Sequence, residues 1–155
     1  MNSRLKSLAN RIRNDLVELE RVLQRVENGW EIASRQGDDY YRDSVALNLH
    51  GWYSGLERIF VLIAETLDGK LPKGENWHQT LLIQMTEEVS GIRPAVISEQ
   101  SSDRLADYRG FRHIVRNVYT FQFDPAKMEK LVLGVPGVYN IVEAELLAFA
   151  SFLER

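Results

Sequence analysis

Through the first thirty residues, Leu5, Leu8, Ile12, Leu16, Leu19, Leu23, Val26 and Trp30 recur at steps of three and four. That is the period of one helix face, and it is incompatible with the alternation of a half-buried strand. A stripe of this length predicts a long amphipathic helix, which ends at Gly37-Asp38-Asp39, with Asp39 read as the N-cap of the next element. Such a helix needs an apolar partner. Val45, Leu49, Trp52, Leu56, Ile59, Phe60, Ile63 and Leu67 supply one between Tyr40 and Leu67, and Asp68-Gly69 closes it with a glycine suited to the left-handed C-cap. Two long helices joined by a short turn are expected to pack antiparallel.

The remaining chain continues in the same idiom. Lys70 to Asn76, with Pro72 and Gly74, reads as a loop, and Trp77 to Val89 as a shorter helix closed by Gly91, with Pro94 preventing its continuation. Ser101, Ser102 and Asp103 offer caps for a fourth helix running to about Tyr119, and Asp124-Pro125 a cap and first-turn proline for a fifth. Gly134, Pro136 and Gly137 are expected to break that helix, leaving Val138 to Leu153 as the last element. Only Gly91 to Ser98 reads as compatible with extended chain. The expectation is an all-α fold, an up-and-down helical bundle of five to six helices forming a single domain over residues 1–155.

Of the 155 residues, 45% are hydrophobic and 26% charged, an ordinary globular balance for a chain expected to bury about two-thirds of its unfolded surface. The absence of cysteine removes disulfides and thiolate metal sites from consideration. The N-terminal MNSRLKSLANRIRNDL mixes charges every few residues and lacks a signal-peptide core, and no apolar run approaches the ~20 residues of a membrane span. A cytoplasmic protein without membrane attachment is expected. The net charge of −3 argues against coating nucleic acid with the whole surface, so any such contact must be local.

One segment is locally cationic. Between Asp103 and Tyr119 lie Arg104, Arg109, Arg112 and Arg116 against only Asp103 and Asp107. At about 100° per residue, Arg109, Arg116 and Tyr119 fall within roughly 60° of Arg112, with His113 and Asn117 at roughly 100° and 140°. Phe111, Ile114, Val115, Val118 and Phe121 take the opposite side and are expected to face the core. Guanidinium groups bind phosphate bidentately, imidazole exchanges protons near neutrality, and Tyr119 adds a phenol. The plainer reading of the same residues is an exposed helix face carrying ion pairs.

Arg112-His113-Ile114-Val115-Arg116-Asn117-Val118-Tyr119 resembles the motif of HEPN domains, in particular the HepT-like toxins, in which an arginine is followed after four to six residues by histidine, any residue and tyrosine. The wider run from Trp77-His78 through Ile92-Arg93-Pro94 to Tyr119-Thr120-Phe121 and Asp124 is similar to a cyanobacterial HepT-like branch. The resemblance implies a metal-independent RNA endonuclease acting as a homodimer, with a composite site where two motif helices meet. It also implies a type VII toxin-antitoxin pair, in which a minimal nucleotidyltransferase antitoxin AMPylates the motif tyrosine. By position, Arg112 stabilises the phosphate, Arg109 and Arg116 bind substrate, and Tyr119 is the modification candidate. RNA, tRNA among the candidates, is the expected substrate.

This chain departs from the motif at Asn117, which stands where the histidine belongs. Asparagine hydrogen-bonds but does not act as a general base. His113, one turn earlier, is the nearest replacement, so Arg112, His113 and Asn117 form the expected catalytic set. The alternative is a catalytically inactive partner subunit of the nucleotidyltransferase that binds RNA or a nucleotide. A third possibility is a helical protein-interaction domain.

Other candidates are weaker. His50, His78 and His113 include only sequence-distant pairs and no HExxH pattern, so no metal and no cofactor is expected. His78 is read as bonding backbone or capping its helix, and His50 as a partly buried polar residue. Glu87-Glu88 and Glu143 with Glu145 are assigned no role. Gly134-Val135-Pro136-Gly137 lacks the lysine and preceding strand of a phosphate loop.

Overall fold

A computed structural model describes residues 2–119 and 123–155. Among these residues five α-helices follow one another: α1 Ser3–Gln36, α2 Asp39–Ile63, α3 Trp77–Met85, α4 Glu99–Asn117 and α5 Pro125–Leu153. A π-helical turn, Ala64–Asp68, extends α2, and the described residues hold no strand beyond one isolated bridge between Val89 and Arg93. The protein is an all-α helical bundle.

The first stripe behaves as its period requires. Leu8, Ile12, Leu16, Leu19, Leu23 and Val26 are buried on one side of α1. Gly37, at φ 63°, closes the helix with its N–H on the Ala33 carbonyl, a left-handed position that a side chain would strain. Asp38, rather than Asp39, caps α2 by accepting from the Tyr40 N–H. The hairpin packs closely: a Cβ on Gly55 would lie 2.5 Å from Leu19 Cδ2. Trp52, fully buried on α2, meets Tyr108 of α4 and Tyr139 of α5 edge-on, with ring centroids 5.3 and 6.2 Å away. Each such pair contributes about 0.5–1.5 kcal/mol beyond burial. The Tyr139 hydroxyl donates to the Leu16 carbonyl at 2.6 Å, tying α5 to α1.

Three boundaries differ from expectation. The fifth and sixth segments are one helix, for α5 runs unbroken through Pro136. The proline removes the N–H that would reach the Val132 carbonyl, but α4 braces this stretch. Tyr108 donates to the Leu131 carbonyl at 2.8 Å, and the bare Cα of Gly134 lets it approach, since a Cβ there would sit 3.3 Å from the Tyr108 hydroxyl. By length and composition alone α5 is also the one described helix able to cross a membrane. Val132, Val135, Tyr139, Val142, Leu146 and Phe149 spend its apolar side inside the bundle. Second, α4 begins earlier than expected. Ser98 caps it by accepting from Ser101 N–H at 3.1 Å. Glu145 of α5 accepts from the Ser98 N–H and from the Ser101 hydroxyl, so this carboxylate, assigned no role from sequence, anchors the start of α4.

Third, α3 stops at Met85, and the chain from Thr86 to Ile97 is organised around a buried side chain rather than a helix. Arg93 is 3% exposed. Its Nε and Nη2 donate to the two carboxylate oxygens of Asp68 at 2.7 and 2.8 Å. Nη1 donates to the Glu87 and Pro94 carbonyls, and Nη2 also to the Gln84 carbonyl. The five N–H groups of a guanidinium are all used. This clamp fixes the end of the α2 extension against the end of α3 and thereby sets where α3 lies.

Candidate functional site

The arginine helix does not present a solvated face throughout. Arg109 and Arg112 are half-buried, and their Nε atoms are buried without a hydrogen-bond partner among the described residues. They look toward α2, whose His50, Tyr53 and Glu57 repeat at i, i+3 and i+7, the same spacing as Arg109, Arg112 and Arg116 on α4. The two rows run antiparallel. His50 feels the charges of Arg112 and Arg116, and Tyr53 those of Arg109 and Arg112. Burial, reinforced by those arginines, holds the His50 imidazole below its ordinary range. Burial, with the Glu57 charge behind it, pushes the Tyr53 phenol well up, so it stays protonated. His50 Nε2, Tyr53 Oη and Ser54 Oγ join the arginine Nε atoms as buried polar atoms without partners among the described residues. Such atoms are few in a native interior and call for explanation, and those of His50, Tyr53, Arg109 and Arg112 lie where α2 and α4 face each other.

The start of α3 closes the third side. His78 Nδ1 lies 2.6 Å from Glu57 Oε2, and its Nε2 lies 3.5 Å from Arg112 Nη1. Glu57 is 6% exposed. Trp77 stacks on the imidazole, with ring centroids 3.6 Å apart. A carboxylate only accepts, so Nδ1 is the donor to Glu57 and Nε2 is the ring nitrogen that faces Arg112. His78 therefore bonds a carboxylate of another helix, not backbone or its own helix end as the sequence led us to expect.

Arg109, Arg112, His113, Arg116 and Asn117 line one cleft of about 790 Å³ with Asn76, Trp77 and His78. The structure thus brings five of the six sequence-derived site residues together. Within it Asn117 is turned onto its own helix: Nδ2 donates to the His113 carbonyl at 2.7 Å and lies 3.3 Å from His113 Nδ1. Tyr119 stands apart. The helix ends at Asn117, Val118 is extended, and Tyr119, 73% exposed, lies beyond the cleft lining, so the helical angle assigned to it does not apply. Ile114 is not a core residue either: at 38% exposure it borders a separate cavity of about 600 Å³ with Phe111, Leu131, Lys127 and Lys130 between α4 and α5. Val115 is half-buried as expected, while Phe121 lies outside the described residues. Among those residues no three potential metal ligands cluster.

Glu57 and Tyr53 are residues the sequence did not bring forward, and His78 came forward only as a backbone-bonding or capping residue. The signal was there for two of them: a polar row at i, i+3, i+7 beside the apolar stripe of a buried helix has no reason to exist unless something polar faces it.

A family model described as HepT-like protein matches residues 44–153, a span that contains the whole cleft. No curated protein and no solved structure matches the chain.

Proposed function

The chain belongs to the HepT-like family, and from that premise we propose that it is a metal-independent RNA endonuclease, the cytoplasmic toxin of a pair with a minimal nucleotidyltransferase antitoxin. The observation that carries this is the row of Arg109, Arg112 and Arg116 along the lining of one cleft. Phosphodiester oxygens suit such a row, because a guanidinium pairs with them bidentately and keeps its charge at every relevant pH. Arg112, at the centre of the row, holds the scissile phosphate and stabilises the charge that builds on it. Arg109 and Arg116 hold the flanking backbone. His113 and Asn117 position the ribose at the open end. The protein acts as a homodimer in which a second α4 completes the site; the exposed Ile114 beside the apolar cavity against α5 supports that packing. Tyr119, outside the cleft and exposed, suits modification by the antitoxin.

A second reading draws on Asn117. Its amide is spent on the His113 carbonyl, which favours a partner subunit that binds RNA or a nucleotide without cutting it. One experiment separates the two. Incubation of the purified chain with total tRNA or a defined RNA in EDTA should give cleavage that Arg112→Ala abolishes. Intact RNA, with binding weakened by Arg112→Ala, would establish the second reading instead. Co-expression with a minimal nucleotidyltransferase should add one AMP at Tyr119, detected by intact mass and lost in Tyr119→Phe.

A further inference from the structure

We infer that His78, held by Glu57, is the proton acceptor of this site: its Nε2 takes the ribose 2′-hydroxyl proton next to the phosphate that Arg112 binds. The inference rests on the ribonuclease reading and supplies what that reading lacks at Asn117.

Cleavage of RNA without a metal needs a base at the 2′-oxygen. Asn117 has no proton-accepting nitrogen and is bonded to its own helix. His113 is exposed, and among the described residues its ring has the Asn117 amide beside it but no carboxylate to orient it. His78 is built differently. Its side chain is 22% exposed while that of Glu57 is 8% exposed, so a buried carboxylate holds one ring nitrogen and the other opens on the cleft. The Trp77 stack fixes the ring plane. With Nδ1 donating to the Glu57 carboxylate, Nε2 is the nitrogen left to accept a proton from the cleft. A carboxylate that orients an imidazole, keeps it in the productive tautomer and stabilises the imidazolium formed later is the relation found in hydrolytic triads. At 3.5 Å the contact to Arg112 is at the outer limit of a hydrogen bond and is readily given up to a substrate hydroxyl. Glu57 could have satisfied its charge on the nearby arginines, yet among the described residues His78 is its ion-pair partner.

The step balances within the RNA. As the 2′-oxygen attacks phosphorus, its proton moves to His78 Nε2 and the new P–O2′ bond forms. The P–O5′ bond breaks, and the departing 5′-oxygen takes a proton from water. The products are a 2′,3′-cyclic phosphate and a 5′-hydroxyl, and His78 returns its proton to the resulting hydroxide. Glu57 touches no reacting atom and is a positioning residue.

The pH profile distinguishes this from a structural ion pair. The charged and titratable groups around His78 are Glu57 and Tyr53 of α2, Arg109, Arg112, His113 and Arg116 of α4, and Glu75 on the approach to α3. A base must be unprotonated, so the rate should fall on an acid limb. Removing the Glu57 charge destabilises the imidazolium and moves that limb to lower pH.

The test is cleavage of a short RNA in EDTA by the full-length protein and its variants. We expect His78→Gln to lower kcat by roughly 100-fold or more, with RNA affinity by fluorescence anisotropy nearly unchanged and the acid limb gone. Glu57→Gln should retain cleavage at a reduced kcat, with the limb displaced to lower pH. Added imidazole should restore part of the rate of His78→Ala, which keeps the question answerable if His78→Gln folds poorly. His78→Gln cleaving at the wild-type rate, or Glu57→Gln leaving the limb in place, overturns this inference and leaves the ribonuclease reading standing. Wild-type protein that binds but does not cut RNA overturns both.

Discussion

Replacing Asp68 by asparagine tests the clamp that sets the position of α3. Arg93 is 3% exposed and has all five donors engaged, two of them on Asp68. The amide introduced by Asp68→Asn would retain one acceptor oxygen and turn an NH₂ toward the second guanidinium donor, leaving a buried positive charge without its anion. Breaking a buried ion pair from one side costs about 3–5 kcal/mol. The pair is unusual in that replacing both members with apolar residues should not recover the loss. The Glu87 and Pro94 carbonyls would also lose the bonds that Arg93 donates, each worth about 0.5–1.5 kcal/mol. The measurement is urea unfolding followed by circular dichroism, with the slope monitored to confirm that the same surface is exposed. The pH dependence gives a second check. Burial raises the Asp68 carboxyl, but hydrogen bonds from Arg93 and Gln84 outweigh it and hold the group below its ordinary range. A depressed carboxylate contributes stability above its unfolded value of about 3.8, and loses it as pH falls through the folded value. Wild type should therefore lose stability below about pH 4 more steeply than Asp68→Asn. A variant within about 1 kcal/mol of wild type at neutral pH, or the same acid dependence in both, would refute this account of the clamp.

Four further substitutions have defined outcomes. Gly51→Ala, which meets nothing within 4 Å, should stabilise α2 by about 0.5–1 kcal/mol. Gly55→Ala, whose Cβ would press on Leu19, should lose about 1–3 kcal/mol of packing against that gain, so melting should rank Gly51→Ala above Gly55→Ala. Asn117→His should change RNA cleavage only modestly if His78 is the base, and a gain of about 100-fold or more would point to a site missing its base. Ile114→Lys should yield a monomer by light scattering with lost cleavage and an unchanged melting midpoint; a persisting dimer would place the second copy elsewhere.

Most of the fold could be read along the chain because α1 and α2 each bury a continuous stripe, and a stripe declares its period locally. The failure at residues 134–137 has the opposite origin. Pro136 and two glycines are strong local breakers, but the helix survives because Tyr108, 23 residues before Leu131, braces it, and no window of sequence contains that bond. The site divides the same way. Five cleft residues share the α4 segment and were legible together. Glu57, Tyr53 and His78 enter only when α2 and α3 pack onto it, and a histidine looks the same in sequence whether it caps a helix or leans on a carboxylate.

The matched family span begins at Ser44 and so leaves out α1, yet α1 covers the side of α2 where Gly55 meets Leu19 and accepts the Tyr139 hydroxyl bond. The recognisable unit is therefore smaller than the cooperative one. A fragment trimmed to residues 44–153 would expose a long apolar flank of α2 and α5, and should aggregate even with every cleft residue intact.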